Sequence, residues 1–210
     1  MCLCEMAHFS WSLIVSLGRF SPQTTMSAFA TSCLVPKGLI LKRGVISELE
    51  QHRLLQEIAS NPWSKVLSRR TQHYGSRYDY KQRNVVNDAS VLPMSDCPMP
   101  EGALVLDLFT RLNDDHGPNQ CIVNEYLSKQ SISAHTDASC FGRVVVTLSL
   151  GDSTVMTFTR SNHASFSVAL NAGDMVILSG DARYEWKHET KAIARDCYRR
   201  VSVTYRTVIQ

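Results

Sequence analysis

The sequence predicts an α+β fold in which N-terminal helices brace a β core of the sandwich or barrel type, the jelly roll being one such solution. Three observations carry this. Apolar residues recur at helical spacing only in the first half of the chain. From Gln120 onward the pattern is extended, in short segments that are either apolar or alternating. Turn signals divide these segments at short intervals: Gly151-Asp152, Asn171-Ala172-Gly173-Asp174 and Gly180-Asp181.

Residues 1–25 carry no structural reading. Phe9 to Leu17 is apolar but short, and Arg19 follows it instead of preceding it, so it matches neither a secretory signal nor a bilayer span. A Ser-rich, acid-poor transit peptide is the alternative, and Met26 is a candidate start. The first helix opens at Ser47, the N-cap of a capping box closed by Glu50. Leu49, Leu54, Leu55 and Ile58 continue it until Asn61-Pro62. Residues 63–85 read as irregular structure or a hairpin, and Asn87–Pro100 is turn-rich. A second helix is expected from Glu101 to about Asn113, with Leu104, Leu108 and Leu112 on one face. Strands follow over Gln120–Leu127, Arg143–Leu150, Val155–Thr159, Ser165–Leu170, Met175–Ser179, Arg183–Lys187 and Tyr198–Arg206. In the last of them Val201, Val203 and Tyr205 alternate with Ser202 and Thr204.

At 210 residues and 44% hydrophobic, the chain suits one globular domain, and a net charge of +3 excludes a strongly polyionic binder. The basic residues are uneven, however. Lys65, Arg69, Arg70, Arg77, Lys81 and Arg83 face only Asp79 between Trp63 and Val85, interleaved with Tyr74, Tyr78 and Tyr80. Such a segment suits a phosphate backbone and an unstacked base, or else a solvated loop with tyrosines packed beneath it. The cysteines number seven and form no CxxC pair, which points to reduced thiols inside the cell. Nucleus or cytoplasm is the expected location, an organelle the alternative; a monomer without membrane contact is expected. Cys2-x-Cys4 is a weak metal motif, and Cys140 stands near the residues discussed next.

His135-x-Asp137 and the later His188 form the ligand set of a two-histidine, one-carboxylate triad, which holds one face of Fe(II) and leaves positions open for a co-substrate and O₂. Alone, His-x-Asp says little. His163, in the turn-like Ser161-Asn162-His163, competes with His188 as third ligand but ranks below it. Arg200 and Arg206 are six apart on one strand and therefore share a face with Ser202 and Thr204. An arginine fork suits the far carboxylate of a 2-oxo diacid.

Asn124-x-Tyr126, His135-x-Asp137, His188 and Arg200-x5-Arg206, in that order, resemble the AlkB family of iron- and 2-oxoglutarate-dependent dioxygenases. The stretches Thr147–Gly151, Met156–Phe158, Gly173–Val176 and Ser179–His188 resemble its core strands, and the likeness covers roughly residues 63 to 208. It implies a double-stranded β-helix (jelly roll) braced by N-terminal helices. Residues 26–210 would form one domain, with helices and a substrate lid over 26–119 and the jelly-roll core over 120–210. It also implies Fe(II) on His135, Asp137 and His188. 2-Oxoglutarate would lie on Asn124, Tyr126, Arg200 and Arg206, with Arg200 at the distal carboxylate and Arg206 near the chelating end. O₂ is the third reactant.

Arg69–Tyr78 resembles the start of the family's nucleotide-recognition lid. Arg69, Tyr74, Arg77, Tyr78 and Ser139 are thereby candidates for substrate binding, on a base extruded from its stack. Ser139 departs from the bacterial founding member, which carries an acid there that helps read N1-methyladenine and N3-methylcytosine. Ser202 replaces an asparagine of that protein. Gln72–Gly75 and the Leu-Ser-Leu-Gly strand look closer to eukaryotic branches, one acting on tRNA wobble uridines and another linked to protein substrates. The expected activity is oxidative demethylation or hydroxylation of a base, in nucleic acid repair or RNA modification. A protein side-chain oxygenase (methyl-lysine, for example) and a silent nucleic acid-binding domain are the alternatives.

Overall fold

In the computed structural model, which describes residues 35–79, 82, 84–112 and 117–209, the helical and extended halves of the pattern separate as the sequence implies. The extension, Cys2-x-Cys4, Cys33, Tyr80, Lys81 and Arg83 lie outside the described residues.

A short strand, β1 (Leu39–Lys42), precedes the first helix, α1 (Glu48–Ser60). Ser47 caps α1, its Oγ accepting from the Glu50 N–H at 3.2 Å. The other half of the capping box is not made. The Glu50 carboxylate accepts instead from the backbone N–H of Glu101, which ties the helix to the loop before the second one. Asn61-Pro62 stops α1, since the residue before proline avoids helical angles. Leu54 and Ile58, four apart, are fully buried, but Leu49 is 82% exposed. It stands five residues before Leu54, about 140° round the helix.

Next come β2 (Arg70–Tyr74) and a hairpin of β3 (Arg77–Asp79) with β4 (Asn84–Val86). The second helix, α2, is shorter than expected, at Leu104–Arg111. Gly102 sits at φ +72°, a left-handed angle that no helix can include, so α2 cannot start at Glu101.

The β core contains β5 (Gln120–Leu127), β6 (Ile132–His135), β7 (Phe141–Gly151), β8 (Thr154–Thr159) and β9 (Phe166–Leu170). It continues with β10 (Met175–Leu178), β11 (Lys187–Thr190) and β12 (Arg199–Val208). Two antiparallel sheets result, a six-stranded one ordered β1-β10-β7-β12-β5-β2 and a four-stranded one ordered β6-β11-β8-β9. This is the double-stranded β-helix. The large sheet also takes β1 and β2 from ahead of residue 120. The strand expected over Arg183–Lys187 is a correction: Gly180–Tyr184 forms a short helix, α3, and β11 begins only at Lys187. Arg183 is drawn inward there by backbone carbonyls described below.

Period-two alternation distributes the core. Val144, Val146, Leu148 and Leu150 of β7, with Val201, Val203 and Tyr205 of β12, face α1 and α2 and are fully buried beside Leu54, Ile58, Val105 and Phe109. The opposite faces of β7 and β10 supply Val145, Val176 and Leu178, which pack with Met156, Phe158, Leu170 and Trp186 of the small-sheet side. The helices thus brace the outer face of the large sheet, and its inner face is left to look into the cavity between the sheets. Among the described residues no helix is long and apolar enough to cross a membrane, and Cys97, Cys121, Cys140 and Cys197 are free thiols.

Candidate active site

Strand pairing assembles the site. β6 and β11 are neighbours in register at His135 and His188, so the two imidazoles meet although 53 residues part them, with ring centroids 4.4 Å apart. Asp137 follows two residues beyond the end of β6, and its Oδ2 lies 3.8 Å from His188 Nε2. The three side chains are neighbours without forming a closed coordination shell among the described residues.

His135 and Asp137 are each held by a group behind them, whereas His188 Nδ1 is buried without a hydrogen-bond partner. His135 Nδ1 lies 2.8 Å from the Ser133 carbonyl, which fixes the N–H on Nδ1 and leaves the Nε2 lone pair outward, as a metal ligand requires. Burial, outweighing the Asp137 charge, lowers the pKa of His188 to about 4, so its ring is neutral at physiological pH. Burial would raise the Asp137 carboxyl, but the Arg206 guanidinium, 2.8 Å from Oδ1, and His188 hold it well below the usual range.

Opposite lies β12. Its inward residues Arg200, Ser202, Thr204 and Arg206 stand across from Tyr126, Asn124, Ile122 and Gln120 of β5. All eight positions are on one sheet face, and seven of them (all but Gln120) line a cavity of about 470 Å³ together with His135, Asp137 and His188. Arg206 donates to Gln120 through Nε at 2.9 Å and stacks over Phe141 at 3.9 Å. Arg200 is 2% exposed; its Nε donates to Ser149 Oγ at 3.2 Å, and its Nη2 is buried with no hydrogen-bond partner. A buried guanidinium nitrogen without an acceptor is costly. An anionic ligand carboxylate resolves that cost, so the residues present fit a 2-oxo diacid whose distal end reaches Arg200.

The lid candidates separate. Tyr78 lines the cavity and packs on Phe141 with ring centroids 5.8 Å apart. Arg69 also lines it, but is pinned inside, its Nε donating to Asn124 Oδ1 at 2.8 Å and its guanidinium 5.7 Å from the Tyr126 ring. Tyr74 is placed elsewhere: it is fully buried on the helix side of β2, its hydroxyl donating to Gln72 at 2.9 Å and accepting from Asn61. Arg69 and Tyr74 are five apart, and alternation in β2 sends them to opposite faces. Arg77 turns away into ion pairs with Asp79 and Asp88. Ser139 is exposed and outside the cavity lining, as is the half-buried Cys140. His163 packs edge-on against Trp186 and has no part in the triad.

Three residues escaped the sequence reading. Arg183, 2% exposed, donates to the carbonyls of Asp137, Ala138, Phe141 and Gly142 at 2.8–3.2 Å, clamping the loop that carries Asp137. Ser179 ahead of Asp181 is a helix-start signal that would have placed it off a strand. Thr71 and His73 of β2 face the same way as Asn124 and Ile122. His73 Nε2 is 3.2 Å from Thr71 Oγ1, and the ring lines the cavity.

Fold and site together define an oxygenase of the iron and 2-oxo acid type. Residues 38–206 match the family model of the 2OG-Fe(II) oxygenase superfamily, and the chain belongs to that superfamily. Within it this is an AlkB-family chain. It is 31% identical over 202 residues to the alkylated DNA repair protein ALKBH8 homolog of Arabidopsis thaliana, which covers 81% of this chain and 58% of the relative. It is 30% identical over 168 residues to the tRNA (carboxymethyluridine(34)-5-O)-methyltransferase ALKBH8 of Macaca fascicularis, covering 73% of this chain and 24% of that one. The chain therefore spans a quarter to somewhat over half the length of these relatives. The solved structure of OsALKBH1 superposes with a TM-score of 0.62 at 20% identity, covering 83% of this chain and 98% of that one, which is a likeness of fold.

Proposed function

We propose that this chain is an Fe(II)- and 2-oxoglutarate-dependent dioxygenase that oxidises a modified base in nucleic acid. The observation that carries the chemistry is the buried, unpartnered Arg200 Nη2 in the same cavity as His135, Asp137 and His188. The names of the relatives above support nucleic acid as the substrate, and the aromatic wall of Tyr78 and Phe141 suits a flat base.

His135 Nε2, His188 Nε2 and the Asp137 carboxylate would hold the iron, and Arg200 the distal carboxylate of 2-oxoglutarate, with Ser149 fixing the fork. Asn124, Tyr126 and Arg206 would complete the cradle. Iron held there would supply activation of O₂; overall, 2-oxoglutarate and O₂ would become succinate and CO₂, with one oxygen atom inserted into a substrate C–H bond. Met156, Val145 and Ile122 keep that end of the cavity apolar, and Arg183 holds the Asp137 loop still. An N-methyl hydroxylated this way loses formaldehyde and returns the N–H; a carbon-bound methyl keeps the hydroxyl.

The test is incubation with Fe(II), ascorbate, O₂ and 2-oxoglutarate beside a panel of modified oligonucleotides and methylated peptides, reading succinate and product mass together. A methyl lost from, or an oxygen gained by, an oligonucleotide is the expected result. Succinate with a changed peptide instead moves the substrate to protein. Arg200→Ala is expected to raise the KM for 2-oxoglutarate at least about tenfold, the loss of one charge-assisted pair. An unchanged KM removes Arg200 from the co-substrate.

A further inference from the structure

Glu125 is an acid where the strand pattern calls for an apolar residue. On β5 it follows Cys121 and Val123 along the helix-facing side of the large sheet, and it is 1% exposed. A carboxylate is tolerated out of water when it is paired and its oxygens are hydrogen-bonded. Arg70 supplies a two-pronged pair, Nε to Oε2 and Nη2 to Oε1, the latter at 2.9 Å. Arg199 Nε adds a bond to Oε1 at 2.7 Å. Burial would raise the Glu125 carboxyl, but these two arginines hold it below its ordinary value, so it is a carboxylate at neutral pH.

Strand register gives the pairing its meaning. Arg70 stands directly opposite Glu125 on β2, and Arg199 lies diagonally across on β12, where Val201 is Glu125's direct partner. One carboxylate therefore joins three neighbouring strands. The contacts continue at both ends. The Arg70 guanidinium rests on Trp63, 4.3 Å from the ring centre. The Arg199 N–H donates to Asp152 Oδ2 at 2.7 Å, in the turn after β7, and Asp152 also pairs with Arg195. On the other face of the sheet, at the same level, is the cradle. Asn124 and Tyr126 flank Glu125 in sequence, and Arg200 follows Arg199 and stands opposite Tyr126. A buried ion pair gains little over a well-packed apolar patch, but it is exacting about register, and a slip of one residue turns a strand's inward side chains outward.

We propose that Glu125 is a positioning residue for the co-substrate: its carboxylate, clamped between Arg70 and Arg199, fixes β2, β5 and β12 so that Asn124, Tyr126 and Arg200 converge on one 2-oxo acid. This rests on the dioxygenase reading above. His135 and His188 stand on β6 and β11 of the other sheet, and Asp137 in the loop after β6. The clamp therefore acts on the co-substrate and leaves the metal ligands alone.

The test is a pair of calorimetric titrations on the full chain without oxygen, Mn(II) alone and then 2-oxoglutarate at saturating Mn(II). Glu125→Gln is expected to weaken 2-oxoglutarate about tenfold or more, the effect of a small misplacement of binding groups, with the Mn(II) affinity kept within about twofold. Arg70→Met removes the fork, keeps an apolar stem beside Trp63, and should weaken 2-oxoglutarate about threefold or more; it carries the test alone if Glu125→Gln does not fold. Val203→Ala, a core truncation on the same face of β12, controls for stability and should leave 2-oxoglutarate binding within about twofold. An unchanged 2-oxoglutarate affinity in the clamp variants overturns the inference. So does an equal loss of Mn(II) and 2-oxoglutarate, or a loss in Val203→Ala as large as in Glu125→Gln, since either makes the clamp a matter of general stability. Those outcomes sink this inference alone; a wild-type chain that binds Mn(II) but no 2-oxoglutarate sinks the dioxygenase reading with it.

Discussion

Arg183 concentrates the most consequence in one side chain. Its fork satisfies carbonyls of four residues in the Asp137–Gly142 loop, and no other hydrogen bond among the described residues ties that loop to α3. Arg183→Met should weaken metal binding by about 10–100-fold, the usual effect of losing a group that orients a ligand; titration of Co(II) absorbance reads it, and unchanged affinity would show that the loop holds itself. His73 gives a pH signature. Burial first, then the charges of Arg206 and Arg77, lower its pKa to about 4. The unfolded chain takes up that proton near the ordinary value of about 6.5, so between there and 4 the unfolded state binds more protons. Stability should fall as pH drops through that window, with His188 adding a loss of the same sign. Urea midpoints of the metal-free His73→Gln variant should fall less steeply over it. At this scale His135, Asp137, His188, Arg200 and Arg206 were legible because their spacing on strands is their geometry. Arg183 was not, because its partners are backbone carbonyls, which no side-chain pattern records.

The elements were legible wherever apolar period and turn chemistry agreed. β5, β8 and β12 fall within two residues of expectation, since alternation and flanking turns mark both ends. Arg183–Lys187 failed because two short elements meet inside it and Trp186 and Tyr184 mimic strand residues. Tyr74 was misplaced for a simpler reason. Once 70–74 is a strand, period two sends Arg69, Thr71 and His73 inward and Arg70, Gln72 and Tyr74 toward α1, where Gln72 donates to the Ile58 carbonyl at 2.7 Å. The half-made capping box of α1 also yields a prediction. Ser47→Ala removes the one side-chain acceptor for the Glu50 N–H and should cost ~1 kcal/mol in a urea titration. Glu50→Gln, whose partner is the Glu101 N–H, should act on the α1–α2 connection.

Across the whole molecule, the cavity trades stability for readiness. Among the described residues Arg69 and Arg200 are buried cations without acidic partners, and the Nδ1 atoms of His73 and His188, which line the same cavity, make no hydrogen bond. Co-substrate binding should therefore stabilise the fold as well as load it. With 2-oxoglutarate at a hundred times its Kd the gain is ~2.7 kcal/mol, visible as a rise in Tm of several degrees with Mn(II) present, and Arg200→Ala should abolish most of it. A Tm indifferent to 2-oxoglutarate would count against the cradle. The edge position of β2 has a different kind of consequence. One side of this strand walls the reactive cavity's sheet, and the other would offer bare N–H and C=O groups to any extended chain. Ser64 bonds both ways with Thr71, at 2.8 and 2.9 Å, while Leu92 donates to the His73 carbonyl and accepts from Gly75. Those two bridges occupy the rim like stitches along a hem, so a second molecule finds no open ladder to extend. The strand that must stay close to substrate is thereby kept from seeding fibres, and loosening Ser64 or Leu92 would be felt first as self-association at high protein concentration.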